Sequence, residues 1–384
     1  MSIRQGSLLW TNVSPDPINE ITDPFRDHIN EVMMTSFAPG FLDSQSISPA
    51  LLGAVRQIGE YRGKEDLYAD RAPQVLETLR EVAVIASTES SNRIEGVEAP
   101  RERIEALVAH DEPPRNRPEQ EIAGYRDVLR TIHTSWEAMP FTPNVVLQLH
   151  RDLYQFVPGR GGRWKSAPNR ITEIRPDGTE RVRFEPVPPH RTEPAMRELH
   201  EQFENAWESQ AMDRLLLIGA YVLDFLCIHP FLDGNGRMAR LLTLLLLYRA
   251  GYGVGRYISL EQIVEENREG YYDSLYASSQ GWHEGSHSLL PWWEYFLGVA
   301  VLTAYRRLDE RVGSVTSRRG AKREMVFDTI RRLPERFRYA DVARACPGVS
   351  RPTILRAMRE LRDRGEIEIV KKGRDAEWRR KQVP

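Results

Sequence analysis

Apolar positions recur at helical spacing along most of the chain. From about Pro73, the residues Val75, Leu76, Leu79, Val82, Ala83 and Ile85 predict a helix, and Gly96 is placed to stop it. Further helices are predicted over about 119–138 and 143–156, after a polar loop from Asp111 to Pro118 that carries three prolines. Two segments are so apolar that they read as central helices. One covers about Asp213 to Ile228 and must end near Pro230, and the other covers about Asn235 to Ala250 with Gly251 as its stop. Helices continue to about residue 312. The pattern breaks once, at residues 158–189, where glycines stand at 159, 161, 162 and 178. There the short runs Asn169–Ile174 and Glu180–Phe184 flank a Pro-Asp-Gly-Thr turn at 176–179 and predict a β-hairpin. Prolines 186, 188 and 189 then lead into a helix at about 193–209, and the first 40 residues, with four prolines, read as an irregular arm. The expected fold is all-α with one inserted hairpin, plus a small appended domain.

Composition narrows the function classes. The 384 residues are 41% hydrophobic and 28% charged, which fits a globular protein. No uninterrupted apolar run is longer than Leu244–Tyr248, far short of the roughly 20 residues of a membrane span. Met1 to Asp16 lacks the basic start and apolar block of a secretory signal, and Cys227 and Cys346 lie far apart without a CxxC partner. A reducing, cytoplasmic setting is therefore expected. The net charge of −2 hides an asymmetry: residues 313–384 carry +10 and the remainder −12. With the polar stretch Ser314 to Gly320 as a linker, that marks a separate C-terminal module with an acidic partner.

Residues 321–384 resemble a winged helix. A first helix is expected at about Arg323 to Leu333, and a helix–turn–helix pair at Arg338 to Cys346 and Arg351 to Arg364 with Pro347-Gly348 in the turn. Ser350 suits the N-cap, Ile354, Leu355, Met358 and Leu361 face inward, and Arg351, Arg356, Arg359 and Arg362 face outward. Ile367 to Lys371 and Ala376 to Arg380 make the wing. The charge suits DNA, and a protein-contact or dimerisation surface is the other reading.

The chemistry concentrates between the two central helices, in His229-Pro-Phe-Leu-Asp-Gly-Asn-Gly-Arg-Met-Ala-Arg240. Gly234 and Gly236 around Asn235 tolerate positive φ, so successive N–H groups can form an anion nest that opens onto a helix N-terminus. Arg237 and Arg240, three apart, share the face of the first turn and suit a polyphosphate. Asp233 is a hard oxygen ligand for a phosphate-bound Mg²⁺, and His229 is the one group in the loop able to take a proton near neutral pH.

His229, Phe231, Asp233, Gly234, Asn235, Gly236, Arg237 and Arg240 match the HxFx(D/E)GNGRxxR signature, and on them the chain resembles the Fic family over about residues 50–310. The resemblance implies three regions: 1–112, helical with an inhibitory motif; 113–312, catalytic; and 313–384, the winged helix. It implies transfer of AMP from ATP to a Ser, Thr or Tyr hydroxyl of a protein, which could be this chain itself. His229 would deprotonate that hydroxyl, Asp233 would bind Mg²⁺, and the backbone of Gly234, Asn235 and Gly236 would hold phosphates. Arg237 would neutralise the inner phosphates and Arg240 the γ-phosphate, with Tyr271 and Tyr272 near the base. Phe231 reads as a core anchor.

Ser91-Asn92-Arg93-Ile94-Glu95-Gly96 has the form (S/T)xxxE(G/N) and is similar to the family's inhibitory helix. The implied role is a salt bridge from Glu95 to Arg240 that denies the γ-phosphate its partner. The hairpin resembles the Fic flap, which binds a target by strand addition. Here Arg160, Arg163, Lys165, Arg170 and Arg175 make it basic, Trp164 adds an aromatic anchor, and Pro168 and Asn169 depart from the usual apolar pattern. AMP removal, transfer of another nucleotide, a DNA-binding regulator with a nucleotide-sensing core, and a homodimer remain open at this level.

Overall fold

The computed structural model describes residues 35–174, 179–317, 321–346, 349–371, 373 and 376–381. Most of the N-terminal arm, Arg175 with the 176–178 turn, and Pro347-Gly348 lie outside them. The chain divides into two compact units, residues 1–62 with 78–306, and residues 63–77 with 307–384.

In chain order the helices are α1 (Pro49–Arg71), α2 (Pro73–Ile94), α3 (Arg101–Ala109), α4 (Arg117–Ser135) and α5 (Pro143–Leu153). A two-stranded antiparallel hairpin follows, β1 (Ile171–Ile174) with β2 (Glu180–Phe184), in which Thr172 faces Val182. Then come α6 (Pro189–Ser209), α7 (Arg214–Ile228), α8 (Asn235–Arg249), α9 (Leu260–Glu266) and α10 (Arg268–Ser279). A final run comprises α11 (Leu290–Trp293), a π-helical stretch Glu294–Val301 and α12 (Leu302–Ser317). None of the described helices is long and apolar enough to cross a membrane.

The centre of the larger unit is α7, whose residues Leu215 to Ile228 are all buried. A helix apolar on every face needs neighbours all round, and α7 packs on α6, α8, α10 and α11. Trp293 Nε1 and Trp292 Nε1 donate to the carbonyls of Leu216 (2.9 Å) and Gly219 (2.8 Å). A Cβ on Gly219 would sit 2.7 Å from Trp293 Cδ1, so this contact needs glycine. Asp224, fully buried on α7, accepts from Ser36 N (2.8 Å), Ser36 Oγ (2.6 Å) and Trp282 Nε1 (2.7 Å). Burial still pushes its carboxyl up to about 7. That one side chain ties two distant loops to the central helix.

The structure adjusts several expected boundaries. Helix α6 starts at Pro189 and not near 193, because proline's fixed φ and missing donor suit a first turn. Ser314–Ser317, expected as linker, continue α12 as helix. Helices α1 and α3, which bury Leu51, Ala54 and Ile58, and Ile104, Leu107 and Val108, respectively, add to the expected helices. In the smaller unit, α13 (Ala321–Arg332), β3 (Arg336–Arg338), α14 (Tyr339–Ala345), α15 (Arg351–Asp363), β4 (Ile367–Lys371) and β5 (Glu377–Arg380) form an antiparallel sheet ordered β3-β5-β4 against three helices. Its core includes Phe327, Phe337, Ile354, Met358 and Leu361, with Leu355 only half-buried. Ser350 takes the N-cap position of α15, but its hydroxyl meets Thr353 Oγ1 at 2.9 Å and caps no backbone donor.

Candidate functional site

The loop between α7 and α8 runs between two left-handed residues, His229 (φ +50°) and Gly234 (φ +83°). A non-glycine residue in that region needs support. His229 N–H donates to Phe225 O (2.9 Å), and its ring meets Leu226 O at 3.1 Å through Nδ1. A carbonyl only accepts, so Nδ1 carries the proton and Nε2 keeps its lone pair. Burial, together with the nearby Lys165 charge, pulls the imidazole down to about 3, so it is neutral at pH 7. The result is an unprotonated base on the wall of a cavity of about 850 Å³.

The same cavity is lined by Asp233, Gly234, Asn235, Gly236, Arg237, Arg240, Tyr271, Tyr272 and Glu95. The tertiary fold therefore brings every sequence-predicted site residue to one place, with Ser91 behind Arg240. The α8 N-terminus opens there, with its free N–H groups and positive dipole end. The Asn235 side chain faces away from that role. Its Oδ1 accepts from Phe231 N (2.9 Å) and its Nδ2 donates to Phe231 O (2.7 Å), which clamps the loop.

The two arginines differ. Arg237 is 1% exposed and donates to Glu121 Oε2 (2.8 Å), Tyr154 OH (2.8 Å) and Asn92 Oδ1 (3.4 Å). Arg240 donates through Nε to Ser91 Oγ (2.8 Å), and through Nη2 to Ser91 O (2.8 Å) and Glu95 Oε1 (2.9 Å). Arg237 Nε and Arg240 Nη1 are buried without a hydrogen-bond partner. Both guanidiniums belong to the cavity wall, but these two atoms are closed off from it, so it is the paired positive charge that complements phosphate.

Glu95 sits at the end of α2, where Gly96 (φ +77°) turns the chain. A Cβ on Gly236 would lie 2.2 Å from Glu95 Oε1. The carboxylate thus lies against the first turn of α8, on the ground an anion would take. Asp233 accepts from Gly234 N at Oδ1 (2.7 Å) and from Arg160 Nη1 at Oδ2 (3.0 Å). It is half-exposed and shares the cavity with Glu95 and Glu121, and no cluster of three metal-ligating side chains occurs among the described residues. One carboxylate beside a polyphosphate pocket fits Mg²⁺, which keeps waters and takes phosphate oxygens as further ligands.

Residues 140–247 match the model of the Fic/DOC family. This chain carries a Fic domain. A protein adenylyltransferase Fic of Drosophila grimshawi is 31% identical over 166 residues, 42% of this chain and 30% of that protein. The match thus spans less than a third of that relative. A Fic family protein from Desulfovibrio desulfuricans G20 superposes with TM-score 0.58 at 22% identity, covering 88% of this chain and 98% of that one. Fic-1 from C. elegans gives TM-score 0.52 at 20% identity, covering 69% and 73% respectively. These structures share the fold.

Several residues of the Fic domain site have no sequence signature. His150 accepts from Gly162 N at Nδ1 (3.1 Å), so its Nε2–H donates to Asp233 O (3.1 Å). Burial lowers it to about 4, and its ring stacks on Phe231 at 3.6 Å, with Trp164 on Phe231 at 5.3 Å. Glu121 and Tyr154 hold Arg237. Only their place in α4 and at the end of α5 makes them relevant, and spacing in sequence could not reveal it. One expectation is corrected: Lys165 is 3% exposed and adds no charge to the flap surface, because it turns inward onto Ile228 O and Asn169 Oδ1.

Proposed function

We propose that this Fic protein transfers AMP from ATP to a hydroxyl of a protein target, in a reaction that depends on Mg²⁺, and that Glu95 restrains it. The observation that carries the reading is a neutral His229, with Nε2 free to accept a proton, in one cavity with the Arg237 and Arg240 guanidiniums and the α8 N-terminus. In this scheme Nε2 takes the hydroxyl proton as the oxygen attacks the α-phosphorus. The bond to the bridging oxygen breaks, and pyrophosphate leaves. Arg237 and Arg240 hold the phosphates, and the buried Tyr271 and Tyr272 border the base. Mg²⁺, held by Asp233 and the phosphates, would supply positive charge where the leaving group gains negative charge.

Glu95 opposes this in two ways. It occupies Arg240 Nη2, and its carboxylate stands against Gly236, where it repels phosphate. The test is label transfer from α-labelled ATP with Mg²⁺, comparing wild type, His229→Ala and Glu95→Gly, with mass spectrometry of the products. Incorporation that rises in Glu95→Gly and vanishes in His229→Ala supports the proposal. Incorporation independent of His229 overturns it. An arm with AMP-modified protein tests the reverse direction, in which Glu95 would orient water.

For the smaller unit we propose a winged helix that contacts DNA. The support is α15, where Arg351, Arg356, Arg359 and Arg362 are exposed opposite the buried Ile354, Ala357, Met358 and Leu361. Of these four, Arg362 is paired, to Asp363 at 2.8 Å.

A further inference from the structure

Lys165 is among the least exposed charged residues of the chain, yet it pairs with no carboxylate among the described residues. Its Nζ donates to Asn169 Oδ1 (2.9 Å) and Ile228 O (3.0 Å), and its backbone N–H donates to Pro230 O (2.8 Å). Asn169 Nδ2 donates in turn to His229 O (3.2 Å) and Phe231 O (2.9 Å). Two residues of the segment between α5 and β1 therefore hold the carbonyl oxygens of four consecutive residues, 228 to 231. Those carbonyls belong to the end of α7 and the turn after it. A helix ends with carbonyls that lack internal partners and with the negative end of its dipole. A lysine fits there as a donor, although burial pulls its ammonium down to about 7.

We propose that Lys165 and Asn169 are positioning residues for His229. They cap the exit of α7 and hold the left-handed backbone at His229, so that the ring stays with Nδ1–H on Leu226 O and Nε2 free at the cavity wall. Without their side chains, the carbonyls of Ile228 and His229 lose their donors while still buried, whereas Pro230 O keeps the Lys165 backbone N–H and Phe231 O keeps Asn235 Nδ2, and the backbone at 228–229 relaxes toward conformations that satisfy the two freed carbonyls elsewhere. The imidazole then samples both tautomers. The binding groups are untouched, because Arg237, Arg240 and the α8 N-terminus are held by α2, α4 and Asn235.

This inference rests on His229 being the base of the proposed reaction, so its test has a readout that does not require turnover. Full-length chain with ¹⁵N-labelled histidine is compared as wild type, Lys165→Met and Asn169→Ala, each also carrying Glu95→Gly. His229→Gln identifies the His229 ring signals, and thermal melts verify folding. Wild type is expected to show a protonated Nδ1 and an unprotonated Nε2 at pH 7. In both variants the two shifts converge, AMP incorporation falls about ten- to a hundredfold, and ATP affinity by calorimetry stays within about twofold. Folded variants with unchanged ring signals overturn the proposal whatever their activity, as does a converged ring with an unchanged rate. If Lys165→Met does not fold, Asn169→Ala decides alone. Converged ring signals in a chain that never transfers AMP keep the positioning role and sink the adenylyl reading.

Discussion

Glu95 and Arg240, 145 residues apart in sequence, meet at 2.9 Å across the mouth of the Fic cavity. Glu95 is partly exposed and Arg240 is buried, with side-chain exposures of 19% and 6%. In the proposed reaction this buried guanidinium, shared between one carboxylate and Ser91, would exchange that carboxylate for a phosphate.

Removing the carboxylate should favour that exchange. A hydrogen bond to a charged group contributes about 1.5–3 kcal/mol, which corresponds to roughly ten- to a hundredfold. Glu95→Gly is expected to raise the rate of AMP incorporation by that order. Ser91→Ala, which removes the Arg240 Nε contact and leaves Glu95 in place, should raise it far less. Initial rates with α-labelled ATP check both.

His229→Ala should lower incorporation by about 10²–10⁴-fold, the usual contribution of a positioned base, with little change in ATP affinity. Because burial and Lys165 hold the imidazole down at about 3, the group stays deprotonated throughout the neutral range. The rate of the Glu95→Gly form should therefore not fall between pH 8 and pH 5 through protonation of this base. An acid limb near pH 6.5 would contradict the burial of His229.

Stability should depend on pH through buried histidines other than His229. His133, His150, His200 and His287 are each lowered to about 4, chiefly by burial. Their neutral forms favour the fold, so the unfolded chain binds more protons and stability is lost as pH falls from about 6.5 toward 4. Asp224 has the opposite sign. With its carboxyl raised to about 7, its contribution is present at low pH and is lost as pH rises through 7. Asp224→Asn removes that opposing slope. Melting temperatures from pH 4.5 to 7.5 should rise more steeply with pH in Asp224→Asn than in wild type.

The α15 arginines can be tested on the full chain. If they meet DNA phosphates, replacing Arg351, Arg356 and Arg359 with Ala should weaken binding to short duplexes of any sequence. The slope of log K against log salt should also shrink by about one per lost contact. Fluorescence anisotropy across a salt series measures this. An unchanged slope would leave the exposed arginine face to a protein partner.

The chain order of apolar stripes made the two central helices, the hairpin and the His229–Arg240 loop legible, because those features are local. An all-round apolar helix, a Gly-Asn-Gly turn and a proline stop are each written within a few residues. Tyr271 and Tyr272 came only through the family resemblance, and the structure puts both on the cavity wall. Helices α1 and α3 were not among the expected helices, although Leu51, Ala54 and Ile58 in the first and Ile104, Leu107 and Val108 in the second stand at helical spacing and are buried.

Sequence by itself determined which residue types meet in the loop: a histidine, a carboxylate, a glycine-bent nest and two arginines within twelve positions. Only the tertiary structure decided their states. It set the tautomer of His229 through Leu226 O, tied Arg237 to Glu121 and Tyr154, laid Glu95 on Gly236 and turned Lys165 from a surface charge into a buried clamp. The physical reason is that protonation, burial and partner choice depend on the local dielectric and on donors brought in from other helices. Spacing along the chain carries no record of either.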